Sequence, residues 1–233
     1  MTEKADTTRR RFFGATVAAG AAVGAMAAGQ ARAGAPASGP IKIIGIACSP
    51  RPGKTTAQGL GICLEAARQA GPGVETELVE LAGLTIPVFD PAAPGSADFE
   101  KVAAKLTAPQ VAGIIVGTPV YFGNMTSLAK AFLDQCMACR KNNLALANKV
   151  GGVLAVGGVR NGGQELAIQS VQAALMCQEM VVVGDGRPTA HFGATLVNPG
   201  TDDISGDEFG LSTARNLGRR VAQVALKMQP AAG

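Results

Sequence analysis

The sequence predicts an α/β fold: a doubly wound, five-stranded parallel sheet in the order 2-1-3-4-5, with helices on both faces. Three observations carry this. Short β-branched apolar runs alternate with segments of helical length, as right-handed strand-helix-strand units require. The runs at 41–47, 111–117, 150–156 and 180–183 are apolar at both odd and even positions, which suits strands covered on both faces. Glycine, serine and threonine gather directly after several of these runs. In an open α/β sheet, ligands bind there, outside the carboxyl ends of the strands.

In chain order, a Gly/Pro/Ser linker at 34–40 leads into the first strand, Ile-Lys-Ile-Ile-Gly-Ile-Ala at 41–47. A helix is expected over 55–69. The alternation Val-Glu-Thr-Glu-Leu-Val-Glu-Leu at 74–81 predicts an edge strand with one wet face. A helix at 97–106 precedes the strand at 111–117, and one at 126–140 precedes the strand at 150–156. The last pair of helices, 164–177 and 205–228, flank the strand at 180–183. No internal repeat is visible, so 41–233 reads as one domain.

Composition fits a folded chain: 233 residues, 47% apolar and 16% charged. The net charge of +4 is unevenly placed. Residues 1–33 hold five cations against two carboxylates, leaving sixteen against fifteen for the rest. A body so nearly neutral argues against nucleic acid, whose binding needs a clustered cationic face. In the leader, Thr8-Arg9-Arg10-Arg11-Phe12-Phe13 precedes an uncharged stretch and then Ala31-Arg32-Ala33. This resembles a twin-arginine signal peptide over 1–33, which implies export of the already folded protein to the periplasm. Gly14, Gly20, Gly24, Gly29 and Gln30 weaken the stretch as a membrane span. Contact with a membrane is expected only if the leader stays uncleaved.

Three loops are the candidate site. After the first strand, Cys48-Ser49-Pro50-Arg51-Pro52-Gly53-Lys54-Thr55-Thr56 offers hydroxyls, two cations and a helix N-terminus, a cradle for a phosphate. Gly53-Lys54-Thr55 shares the ending of an ATP-type P-loop, but Cys48 stands where that motif needs a glycine. After the third strand, Thr118-Pro119-Val120-Tyr121-Phe122-Gly123-Asn124-Met125-Thr126 places two aromatic rings beside backbone amides, as a flat heterocycle requires. For Phe122, a place in the core is an equal expectation. After the fourth strand, Gly157-Gly158-Val159-Arg160-Asn161-Gly162-Gly163 permits close backbone approach, and Arg160 is expected to meet a ring carbonyl or a partner subunit.

In order and spacing these segments resemble the flavodoxin-like, FMN-dependent NAD(P)H oxidoreductases, a family that includes the iron–sulfur flavoproteins. The resemblance rests on Ser49-Pro50-Arg51 with Thr55-Thr56, on Gly117 to Gly123 leading to Lys130-Ala131-Phe132-Leu133-Asp134, and on Gly157 to Glu165. It implies FMN as cofactor, with Ser49, Arg51, Lys54, Thr55 and Thr56 at the phosphate. Pro119, Val120, Tyr121, Phe122, Gly123 and Asn124 would lie along the isoalloxazine, and Gly158, Arg160, Asn161 and Gly162 at its other edge. It further implies NAD(P)H as donor, a small acceptor such as a quinone, flavin or metal ion, and a homodimer or homotetramer. The alternative is a periplasmic electron-transfer protein exchanging electrons with cytochromes. Flavin chemistry needs no catalytic constellation from the protein, and His191, the one histidine, is expected to be structural or solvent-facing.

Of the five cysteines, Cys136 and Cys139 form the one close pair. On one helix face they read as ordinary buried thiols, as a disulfide or redox pair, or as part of an iron–sulfur cluster. The cluster is the least favoured of the three, because it normally takes four thiolates.

Overall fold

The computed structural model describes residues 39–229; the leader at 1–33 and most of the linker lie outside them. The described elements are β1 (Ile41–Ala47), α1 (Thr55–Arg68), β2 (Val74–Glu80), α2 (Ala97–Leu106), β3 (Val111–Tyr121), β4 (Asn124–Met125), α3 (Ser127–Gln135), α4 (Met137–Lys141), β5 (Val150–Gly157), α5 (Gln164–Met176), β6 (Val181–Val182), β7 (Ala194–Val197) and α6 (Glu208–Met228). The sheet runs β2-β1-β3-β5-β6 with parallel neighbours, the expected order. As its alternation required, β2 is an edge, and its Glu77 pairs with Lys42 at 3.4 Å and Lys105 at 2.5 Å.

The fifth position differs from the expectation. Only Val181 and Val182 of the 180–183 run pair, with Val150 and Gly151. The edge is completed by β7, which the sequence reading missed and which pairs in parallel with Leu154 to Gly157. Between them the chain leaves the ladder through Gly184, Gly186, Pro188 and Gly193, residues that weaken or cannot donate to strand pairing. Two further boundaries move. β3 continues to Tyr121 and turns back as β4, and the helix expected over 126–140 breaks at Cys136, whose ψ is −3°. Asp207 sets the start of α6: its carboxylate accepts from Gly210 N at 3.0 Å and from Val197 N at 2.7 Å.

Period-two alternation divides each central strand between two cores. Ile44 and Ile46 of β1, with Val153 and Ala155 of β5, meet Phe99, Phe132 and Val171 on the α2, α3 and α5 side. Ile43 of β1 and Leu154 of β5 meet Leu60, Leu217 and Val221 on the α1 and α6 side. Each such Val, Leu, Ile or Phe side chain, fully buried, contributes about 1.5–3 kcal/mol. α1 and α6 approach so closely that a Cβ at Gly218 would stand 1.8 Å from the Cys63 carbonyl oxygen, so only glycine fits there. This packing aligns the N-terminus of α1 and the loop before α6 at one end of the sheet.

Candidate functional site

At the carboxyl end of β1 the chain turns sharply. Ser49 is buried and its hydroxyl bonds Arg51, accepting from the amide at 3.1 Å and donating to the carbonyl at 3.2 Å. Gly53, at φ 65°, donates its N–H to Glu80 at 2.8 Å. α1 then begins at Thr55 with no side-chain cap and no acidic residue in its first turn. Its first N–H groups thus lack the usual internal acceptor, which makes an anion favourable there. Thr55 and Thr56 are buried in that first turn. Arg51 and Lys54 converge on one carboxylate, Asp202, at 2.8 and 3.3 Å. Asp202 sits at φ 58° in the loop before α6, where Asn198 accepts from its N–H at 3.1 Å. Desolvation works against the charge of Asp202, but the bonds from Lys54, Arg51 and Asn198 prevail and hold its carboxyl below the usual range. A carboxylate between these two cations shows that they are arranged to share an anionic group. A phosphate meets the same geometry, so the donors fit FMN at this end.

The second loop is a hairpin. Val120 pairs with Met125 and Tyr121 with Asn124, leaving Phe122 (φ 50°) and Gly123 (φ 75°) as its two turn residues. Two positive φ values match the strand-compatible two-residue turn, though a bulky residue at the first of them is uncommon. Phe122 is fully exposed and Tyr121 half-exposed, so Phe122 is not the core residue that was an equal expectation. Thr126, the end of the second loop and given no role from the sequence, ties the loops together. Its hydroxyl donates to the Cys48 carbonyl at 2.8 Å and accepts from Ala129 N at 3.1 Å, capping α3, while its N–H bonds Thr118 at 3.1 Å.

The third loop touches the second. A Cβ on Gly163, which has φ 97°, would stand 2.8 Å from Gly123 Cα. Buried Gln164 holds the loop to the sheet, donating to Val159 O at 2.8 Å and Leu196 O at 3.3 Å. Arg160 is engaged inside the chain. It bonds Asp207, donates to Thr195 O at 3.1 Å and lies 5.3 Å from the centre of the Phe209 ring. Asn161 takes the left-handed φ of 59° that this residue type tolerates, and Gly158 and Gly162 complete the loop. His191, expected to be structural or solvent-facing, stands on the wall of a cavity of about 410 Å³ beside this loop, with Arg160, Glu165, Leu166 and Phe209.

The five cysteines are free thiols, four of them buried. Burial pushes Cys48 and Cys63 far above the ordinary thiol range. The hydrogen bond between Cys136 and Cys139, with burial, pushes Cys136 up, and the same bond pulls Cys139 down against the opposing effect of burial. Cys63 lies in the opposite core layer and Cys177 is exposed. Among the described residues no group of three or more cysteine, histidine or acidic side chains is placed to hold a metal. The donor set does not fit a four-thiolate cluster.

Residues 41–195 match the family model described as NADPH-dependent FMN reductase. The chain is 40% identical over 192 residues to an iron–sulfur flavoprotein of Methanocaldococcus jannaschii, covering 79% of this chain and 97% of that one. It is 38% identical over 185 residues to an iron–sulfur flavoprotein of Methanosarcina thermophila, covering 76% and 93%. Its fold is similar to that of a WrbA-like flavodoxin from Agrobacterium tumefaciens, with TM-score 0.61 and 20% identity, over 82% of this chain and 99% of that one.

Proposed function

Because the chain belongs to the NADPH-dependent FMN reductase family, we propose that it is an oxidoreductase that passes electrons from NAD(P)H through bound FMN to a small acceptor. Bound FMN would supply the redox chemistry, accepting hydride or passing single electrons. The protein's part is placement. Arg51 and Lys54 give the phosphate two positive partners in place of Asp202, and the uncapped start of α1 with Ser49, Thr55 and Thr56 supplies N–H and hydroxyl donors. Pro119 to Asn124 present the flat side of the site, with Tyr121 and Phe122 exposed. Thr126 keeps this hairpin in register with the phosphate loop. Gly158, Asn161 and Gly162 border the ring, while Arg160, already taken by Asp207 and Phe209, orders the loop that carries them.

The convergence of Arg51 and Lys54 on one anionic group carries this reading. The test is titration of the protein with FMN and with riboflavin. FMN is expected to bind with a perturbed visible spectrum, the Arg51→Ala/Lys54→Ala variant to lose the preference for FMN over riboflavin, and NADPH or NADH to bleach the bound flavin anaerobically. Failure to bind either flavin overturns the proposal. The leader supports export to the periplasm, tested by cell fractionation with Arg9→Lys/Arg10→Lys/Arg11→Lys as the blocked control. Exposed Tyr121, Phe122, Val159 and Phe209 beside the site support pairing with a second copy, tested by light scattering.

A further inference from the structure

Resting on the reading above, we propose that the cavity beside the third loop is the acceptor site, that it takes an uncharged planar dicarbonyl of the quinone class, and that His191 is its proton donor. The cavity lies between the end of β5, the start of α5, β7 and the start of α6. Half-exposed Phe209 and exposed Leu166 provide apolar walls for a ring. The cation on the wall, Arg160, is already matched by Asp207, so the cavity has little net pull on an anion and suits a neutral ligand.

His191 is held at both ends by one buried carboxylate. Asp185 is fully buried; it accepts from the His191 main-chain N–H and stands 3.4 Å from the ring Nδ1. It is fixed in turn by the Thr189 hydroxyl, to which Asn216 donates at 2.9 Å. The imidazole meets the Phe209 ring edge-on, with centroids 5.6 Å apart. A carboxylate only accepts hydrogen bonds, so Nδ1 carries the hydrogen and Nε2 is left for a ligand. A residue that merely closed the 183–193 loop would need the main-chain bond but not the ring contact.

The step balances simply. The quinone gains two electrons and one proton as a hydride equivalent from the reduced flavin. Its other oxygen takes the second proton from Nε2 of the imidazolium, forming O–H as N–H breaks. The neutral ring keeps its Nδ1 hydrogen on Asp185, and solvent restores the proton at Nε2. Of the charged groups in this region, Asp185 meets His191 directly, Arg160 and Glu165 line the same cavity, Asp207 holds Arg160, and Arg219 and Arg220 of α6 contact Asn216 and Gly186.

Because the chain has one histidine, protein made without a histidine tag gives one imidazole signal in NMR. The ring ¹⁵N shifts are expected to report hydrogen on Nδ1 in the neutral form, and duroquinone to move that signal with or without FMN. In stopped flow, His191→Gln should bind FMN and be reduced by NADPH as wild type is, yet be reoxidised by duroquinone 10²-fold or more slowly. Its reoxidation by ferricyanide, which takes electrons without a proton, should be unchanged. A normal duroquinone rate in His191→Gln, or a histidine signal that duroquinone leaves in place, overturns the inference while leaving the FMN reading intact. Failure of wild type to bind or reduce flavin would instead strike the reading on which it rests.

Discussion

Gly163→Ala is the sharpest test of how the second and third loops are held. Gly163 precedes α5 at φ 97°, ψ 11°, a left-handed conformation that costs an L-residue about 1–2 kcal/mol. The added Cβ would also stand 2.8 Å from Gly123 Cα and 3.4 Å from Gly123 C. These neighbours are backbone and cannot swing away, so the second and third loops must part. Strain and lost contact together should cost about 2–4 kcal/mol, or about 5–10 °C in Tm for a domain of this size. The assay is thermal unfolding without cofactor, paired with FMN titration. Gly206→Ala is the control, because a Cβ there meets nothing within 4 Å, and its Tm should change by no more than about 1 °C. FMN affinity should fall at least about tenfold in Gly163→Ala and stay level in Gly206→Ala, since a tenfold change in the binding constant needs only about 1.4 kcal/mol. If both variants melt together and bind FMN alike, the loops are not coupled through this contact.

Three further outcomes follow from named contacts. Asp202→Asn should tighten FMN several-fold without changing riboflavin, because it frees Arg51 and Lys54 for the phosphate; fluorescence titration reads this, and weaker FMN binding would mean that Asp202 builds the site. Burial pulls Lys149 from 10.5 down to about 8, against a smaller opposing effect of Cys139. A folded value below the unfolded one penalises stability at pH below 8, and the penalty lifts as pH rises toward 10.5. Wild type should therefore gain on Lys149→Met across that window by at most roughly 3 kcal/mol in urea unfolding, and parallel curves would refute it. Phe122→Gly should leave stability within about 1 kcal/mol, since the residue is exposed and its φ is positive, but should weaken flavin binding in the same titration.

Local patterns were legible wherever one stretch of chain sufficed. The both-parity apolar runs located β1, β3 and β5, and the alternation at 74–81 identified the edge strand. The Ser49 to Thr56 loop announced an anion cradle through its own residue types. What depended on distant partners was hidden. Asp202 joins Arg51 from 151 residues away, and the four-residue β7 is too short to stand out beside the glycine-rich excursion before it. His191 read as a solitary histidine because Phe209 meets it and Arg160 joins its cavity only after β7 and α6 pack. Arg160 looked available for a ligand until Asp207, 47 residues later, claimed it. Periodicity and turn chemistry act between near neighbours, so the sequence by itself determined the sheet order and the family. Charge pairing and cavity walls are set by which helices meet across the sheet, and only the tertiary structure decided which cations share Asp202 beside α1, that Arg160 is already matched, and where the one imidazole stands.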